Sequence, residues 1–325
     1  MLSLPAAQLL AIFTSCFFYG IYIVTLGMTA RTLLTLPNGQ WRTRSEINWI
    51  VAVVGVALFA NSTLDIVLAM IKIMKAFVSY TGPGGPMQVF LHGSAWQTVA
   101  MTACVGNQTL LGDAILIWRC WLIWRNQSKF IAVFPALCWI ADFIVHVRLL
   151  DLLHKETESL QIGSQIQPWG ETTWILTLCI NIITTTLIVV RIWMVDRKNL
   201  ELMAPMDSTA HHRPSTTLGR VMRNILESGM IYTTASILGC ATYLAQNNLS
   251  YPASAAVIHS VGITFNLIII RSSKRQEQEY NLGTSIKFNT NPPPIAGIPP
   301  TDSKTEGFTL SHMHRPAEFE TVGSV

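Results

Sequence analysis

One apolar stretch decides the fold, and it reads Trp96-Gln-Thr-Val-Ala-Met-Thr-Ala-Cys-Val-Gly-Asn-Gln-Thr-Leu-Leu-Gly-Asp113-Ala-Ile-Leu-Ile-Trp-Arg119-Cys-Trp-Leu-Ile-Trp124. It is long enough to cross a bilayer as a helix, which takes about 20 predominantly apolar residues. It also carries Asp113 well inside, where a charge costs about 3 kcal/mol on insertion scales. The stretch therefore predicts a membrane helix in which Asp113 has a partner or faces a wet cavity.

The small and polar residues of this stretch share one side of the helix. A projection at about 100° per residue places six of them within about 60° of one line. They are Thr98, Thr102, Gly106, Thr109, Asp113 and Cys120. Small residues let membrane helices approach closely, and hydroxyl groups bond across the contact. The stripe predicts a buried seam on which other helices pack; a ligand, ion or switch contact at Asp113 is the alternative.

The composition is that of a membrane protein. Apolar residues make up 50% of the chain and charged residues 12%, whereas soluble domains carry about 25% charged residues. The net charge of +4 is small and lies in loops, so it predicts no nucleic-acid partner. The last apolar segment holds no lysine for a retinal Schiff base, and we expect no cofactor.

Seven apolar segments have about the length that a membrane span needs. They run about 7–29, 48–71, 97–123, 130–150, 172–194, 224–246 and 251–270. They predict an all-α bundle of seven transmembrane helices over residues 1–275, in a multi-pass protein of the plasma membrane. Residues 276–325 contain Asn291-Pro-Pro-Pro and scattered Ser and Thr, which predict a disordered cytosolic tail.

Loop charge predicts the orientation. Lysine and arginine are enriched in cytosolic loops of membrane proteins. The first, third and fifth loops and the start of the tail hold most of these residues, including Arg42, Arg125 and Arg197, whereas the alternate loops hold Lys72, Lys75 and Lys155. The N-terminus is therefore predicted outside and the C-terminus in the cytosol.

Other spans also contain polar residues that predict buried contacts within the bundle. They are Asn61, Asp65, Asp142, His146, His259 and Asn266. Asp65 is predicted to pair with Lys72, two helical turns away, and an ion or ligand site is the alternative. Asp142, His146 and His259 suggest a metal-dependent hydrolase, but such a site needs about three converging ligands and an open position. Only Asp142 and His146 form a close pair, so we predict no metal site and no enzyme.

A switch is predicted at the cytosolic ends of the third and sixth helices. Arg119 and Glu227 both lie at those ends, where an ion pair between them would hold the helices together. Breaking the pair on ligand binding would open a cytosolic cleft. Pairing of Glu227 with Arg223, one turn away, or with Arg220 is the alternative.

Three motifs resemble those of one family. Gly112-Asp113-Ala-Ile-Leu-Ile-Trp-Arg119-Cys120-Trp-Leu-Ile-Trp124, Ile225-Leu-Glu227-Ser-Gly-Met-Ile-Tyr232 and Phe265-Asn266-Leu-Ile-Ile-Ile-Arg271 are similar to motifs of uncharacterised basidiomycete (fungal) seven-helix membrane proteins. The resemblance covers about 1–275 and implies a receptor-like protein with the topology of G-protein-coupled receptors. The third helix ends in Trp118-Arg119-Cys120 and lacks the Asp/Glu-Arg-Tyr of rhodopsin-like receptors, so coupling to G proteins rests on topology alone.

These features predict a receptor-like membrane sensor. It would bind a small or lipidic ligand between the helices from the outer side. The basic loop 195–223 and the tail would face a cytosolic signalling partner. The alternative is a transporter or lipid-handling protein in which Asp65, Asp113 and Asp142 form a polar path.

Overall fold

The structure, a computed structural model, describes residues 2–36, 40–45, 47–92, 95–125, 130–156, 163–203 and 217–289. Side chains are described for these residues except 91–92, 95, 156, 163–165, 192, 196, 199–203, 217–228 and 275–289. Within this part the chain is helical and contains no β-strand. The helices are α1 (Leu4–Leu34), α2 (Trp49–Met74), α3 (Pro86–His92), α4 (Ala95–Trp124), α5 (Val133–Glu156), α6 (Gly163–Met203), α7 (Thr217–Leu244) and α8 (Ser250–Asn289). A π-helical turn, Lys75–Ser79, extends α2.

Six of the helices are long and apolar enough to cross a membrane. They are α1, α2 with its π-helical turn, α4, α5, α6 and α8. The prediction of an all-helical, multi-pass membrane protein is confirmed at this level. The predicted sixth span, 224–246, falls in α7, whose side chains are described only from Gly229 onward.

The surface and the interior have the polarity expected in a bilayer. Phe13, Val24 and Val56 are 70%, 64% and 67% exposed and face outward, where lipid would cover them. The interior holds an unusual number of polar side chains, among them Gln108, Asp113 and Asn266. Because lipid is as apolar as leucine, polar groups gain by facing one another inside the bundle.

The ends of the helices follow local signals in the sequence. Pro5 lies in the first turn of α1, where its missing N–H would have no helical partner. Asn48 precedes α2, and its side-chain oxygen accepts a hydrogen bond from the N–H of Val51. A tight turn with Gln246 at φ 51° joins α7 to α8, and Asn248 Nδ2 donates to the carbonyl of Leu2. This turn makes α7 and α8 antiparallel neighbours, as its shortness predicts.

The most buried of the six apolar helices is α8. In its most apolar window 72% of the residues are buried, compared with 44% for α4. The third span, predicted to contain a buried seam on which other helices pack, is α4, and it is the second most buried of the six. Hydropathy measures how apolar a segment is and not what surrounds it, so the sequence does not show that α8 is the most deeply buried of these helices.

Close approaches at glycines hold α8 in this position. A side chain at Gly262 of α8 would overlap the ring of Tyr22 on α1, and one at Gly112 of α4 would overlap Val261. Such small residues let membrane helices pack closely. Beside these contacts, Leu58, Leu116, Tyr232, Val257, Val261 and Phe265 form a core cluster that joins α2, α4, α7 and α8.

The chain divides into two compact units, Met1–Glu279 and Tyr280–Val325. In the second unit the structure describes the helical residues up to Asn289. Helix α8 thus continues past the boundary predicted at 275, because residues 276–289 include good helix formers such as Gln and Glu and no proline. The rest of the predicted disordered tail, 290–325, lies outside the described residues, as do 204–216 of the predicted partner-binding loop 195–223.

Candidate ligand cavity and buried polar network

A cavity of about 270 Å³ lies between the helices. It is lined by the first turns of α1 and α8, the first halves of α4 and α6, and the last turns of α2, α5 and α7. In antiparallel packing these ends meet in one half of the bundle, the half that contains the N-terminus. The cavity therefore lies in the half predicted to face outward.

The predicted small-and-polar stripe of α4 divides into two parts. Thr98, Thr102, Gly106 and Thr109 line the cavity. Cys120 is instead buried in an apolar cluster with Trp124 and Ile188. The N-terminal part of the stripe thus lines the cavity, and its C-terminal part, Asp113 and Cys120, is buried against other helices.

The imidazole of His146 lies directly against the backbone of Gly106. A side chain at Gly106 would overlap this ring. His146 lines the cavity, is 3% exposed, and neither ring nitrogen has a hydrogen-bond partner among the described residues. The glycine thus lets α5 present a buried hydrogen-bonding group to the cavity.

Asp65 and Lys72 both line the cavity but do not pair with each other. Lys72 Nζ donates to Thr98 Oγ1 at 3.2 Å and lies 5.8 Å from the centre of the Phe90 ring. Asp65 is 4% exposed, and its carboxyl group has no hydrogen bond or ion pair within the part of the chain that the structure describes. The predicted Asp65–Lys72 pair is absent there because Lys72 extends toward α3 and α4, away from Asp65.

Asp113 takes a partner that the sequence does not identify. The hydroxyl group of Tyr232 on α7 donates to Asp113 Oδ1 at 3.0 Å, and both side chains are almost completely buried. The other carboxyl oxygen, Oδ2, has no partner among the described residues. Asp113 does not line the cavity, and its bond to Tyr232 links α4 to α7 near the middle of both helices.

Asp142, His146 and His259 do not meet in one site. Asp142 Oδ2 accepts a hydrogen bond from Thr177 of α6 at 3.3 Å. The His259 ring lies 5.7 Å from that of Tyr19 on α1, and its nitrogens have no described partner. Over the described residues no group of three His, Cys, Asp or Glu side chains is arranged to hold a metal ion.

Gln108 is a central polar residue that the sequence reasoning missed. Its amide oxygen accepts from Asn61 Nδ2 at 2.8 Å, and its nitrogen donates to Ser62 Oγ at 3.1 Å. Asn61 Nδ2 also donates to the carbonyl of Cys104 at 2.7 Å. These bonds join α2 to α4. The signal was available, because an uncharged amide within an apolar span also needs partners.

Asn266 has a similar role between α8 and α1. Its side-chain Nδ2 donates to Thr25 Oγ1 at 3.3 Å, and its backbone carbonyl oxygen accepts from Thr29 Oγ1 at 3.3 Å. Thr29 also bonds to its own helix, through the carbonyl of Thr25. The Phe265-Asn266 motif therefore lies at a buried contact between helices.

Of the residues in the predicted switch, the structure describes only the side chain of Arg119. Arg119 is half-buried and has no ion pair within the described residues. The backbone of Arg223 and Glu227 belongs to α7, but their side chains lie outside the described residues. The Arg119–Glu227 pair stays a prediction.

The Asp113–Tyr232 bond can be tested by a double-mutant cycle. Hydrogen bonds between membrane helices contribute about 0.6 kcal/mol on average and up to about 1.7 kcal/mol. We expect Tyr232→Phe to lower the free energy of unfolding by about 1 kcal/mol, and Asp113→Ala, which removes the acceptor, to show a coupling of similar size with it. Unfolding in mixed detergent micelles measures both. Tyr251→Phe, on a 42% exposed side chain, is the control; strict additivity of the two changes would contradict the bond.

Comparisons with family models, curated proteins and solved structures return no match for this chain.

Proposed function

We propose that this protein is a receptor-like seven-helix membrane sensor, which binds a small or lipidic ligand in the cavity and signals to a cytosolic partner. The observation that carries the proposal is the lining of the cavity. The walls combine apolar side chains with three ionisable groups, Asp65, Lys72 and His146, and with hydroxyl groups such as those of Ser15 and Thr98. Ligand sites commonly combine apolar walls with polar groups that orient the ligand.

The size of the cavity limits the ligand. Its volume of about 270 Å³ lies near the lower end of typical ligand pockets, about 300–1,000 Å³. An engineered cavity of about 150 Å³ is known to hold benzene. The site thus suits a compact molecule or one end of a lipid, and a complete phospholipid would not fit.

The proposal includes α7 as the seventh span and the N-terminus on the outside. The apolar segment 224–246 supports the span, as do two hydrogen bonds that α7 makes within the bundle: Tyr232 to Asp113, and Thr233 Oγ1 to Asn181 Oδ1 at 2.9 Å. The distribution of lysine and arginine supports the orientation. With this orientation the cavity faces the exterior of the plasma membrane.

A route from the cavity to the cytosolic side runs along α4 and α7. Thr98, Thr102 and Thr109 of α4 line the cavity, and Asp113 follows one turn later with its bond to Tyr232. Further along α4 lies Arg119, the proposed partner of Glu227. A ligand that shifts α4 relative to α7 would change both contacts, which gives the two states that signalling requires.

The transporter alternative has less support. It requires a polar path past Asp113, yet Asp113 is fully buried and does not line the cavity. The resemblance of three motifs to basidiomycete seven-helix proteins supports a receptor-like member of that family, and membership is part of the proposal.

Filling the cavity tests the proposal. Ala69 lines the cavity, and Ala69→Phe is expected to exclude a ligand. Val56→Phe, on the 67% exposed face of the same helix, is the matched control. Native mass spectrometry of nanodisc-embedded protein should show a retained small molecule in the wild type and in the control, but not in Ala69→Phe.

Two further measurements separate the functions. Binding should change the protease sensitivity of loop 195–223, as signalling to that side requires. The same molecule should not accumulate in proteoliposomes that contain the protein. Equal retention by all three proteins would refute the ligand site, and uptake into the vesicles would favour the transporter.

A further inference from the structure

We propose that the ligand of this cavity is a small zwitterion, with its acidic group at Lys72, its cationic amine at Asp65 and a short apolar segment between them. The inference rests on the proposed function only in that it takes the cavity to be the ligand site. It adds the chemical class of the ligand.

The first argument is the pair of opposite charges within one enclosed space. Asp65 and Lys72 are both about 95% buried, at 4% and 5% exposure, and both line the cavity. Neither has a partner of opposite charge among the described residues. A buried charge is costly unless it is paired, so each group favours a counter-charge from a bound molecule.

The second argument is the distance between the two groups. Seven residues separate them along α2, which corresponds to about 10 Å between their Cα atoms. Lys72 Nζ extends toward Thr98 and Phe90, away from Asp65. A molecule with one charge could pair with Asp65 or with Lys72 and would leave the other residue without a counter-charge. A molecule with both charges on a chain of about six atoms could reach each group without adding net charge to the bundle.

The third argument is the apolar part of the cavity wall. It includes Met101, Val105 and Leu149, which suit a methylene or ring segment. His146 adds to this wall a buried imidazole whose two nitrogens have no described partner, so it offers a hydrogen bond to a polar group of the bound molecule. The cavity volume of about 270 Å³ suits a molecule of this size.

Four six-carbon probes with matched chains test the assignment: 6-aminohexanoate, hexanoate, hexylamine and 1,6-hexanediol. Thermal unfolding of the full chain in nanodiscs gives the concentration at which each probe stabilises the protein. We expect 6-aminohexanoate to act on the wild type at about tenfold lower concentration than the other three, which corresponds to about 1.4 kcal/mol.

Charge-removing variants then assign each end of the probe. In Asp65→Asn the advantage of 6-aminohexanoate over hexanoate should disappear, and in Lys72→Met its advantage over hexylamine should disappear. Asp151→Asn and Lys155→Met remove the exposed Asp151–Lys155 ion pair and should leave both advantages unchanged. Each ratio is measured within one variant, so a change in the variant's own stability does not affect it.

The outcomes separate this inference from the proposed function. If all four probes act equally, or if the diol acts most strongly, the ligand is not a zwitterion. If Ala69→Phe then abolishes the stabilisation, the cavity still binds a ligand. If no probe stabilises the protein, the zwitterion assignment is also refuted. Native mass spectrometry of the nanodisc-embedded protein then tests independently whether the cavity holds a ligand. An advantage that survives in both Asp65→Asn and Lys72→Met assigns the binding to another site and refutes the inference.

Discussion

Replacing Gln108 with alanine is expected to cost about 3 kcal/mol of unfolding free energy, from a cavity in the bundle and from lost hydrogen bonds. The Gln108 side chain is fully buried between α2 and α4. Its removal leaves Ser62 Oγ without its amide donor and leaves Asn61 Nδ2 with the carbonyl of Cys104 alone. No water from the bilayer can replace these partners.

The neighbouring residue supplies the control for this prediction. Asn107 is exposed on the outer face of α4, and Asn107→Ala should be neutral or stabilising because it removes a polar amide from the lipid side. Unfolding of both variants in mixed micelles gives the comparison. Similar losses in the two variants would show that the network around Gln108 contributes nothing specific.

Replacing Gly262 with valine is expected to have an effect of similar size, about 3 kcal/mol, through overpacking. A side chain at this position would overlap the ring of Tyr22, whose own side chain is fully buried. The ring therefore has no free space to enter, and α1 must move away from α8. That movement would also weaken the nearby bonds of Asn266 to Thr25 and Thr29.

Gly27→Val on α1 is the matched control, since nothing lies within 4 Å of a side chain there. Both substitutions make the same change in intrinsic helix propensity, so their difference isolates the contact with Tyr22. Tyr22→Ala should partly rescue Gly262→Val by making room for the new methyl groups. The absence of any rescue would contradict a direct contact between the two positions.

The polar residues show how far sequence reasoning reaches. The rule that polar groups inside a span need partners correctly draws attention to Asp65, Asp113 and Asn266, which are buried. It does not identify the partners. Asp113 bonds to Tyr232, far away in the sequence, and Lys72 bonds to Thr98 and not to Asp65. Charge and spacing along one helix suggest a pair, but the rotation of each helix decides which groups meet.

By itself, the sequence determined that the chain folds into apolar helices long enough for a membrane, because hydropathy and helical periodicity are local properties. It also determined which polar side chains those helices carry. Only the tertiary structure decided that α8 is central, that Thr98 and Thr102 of α4 face a cavity, and that Asp65 and Lys72 enter it unpaired. These features depend on how helices distant in sequence rotate and approach one another at Gly106, Gly112 and Gly262, and no local pattern records that geometry.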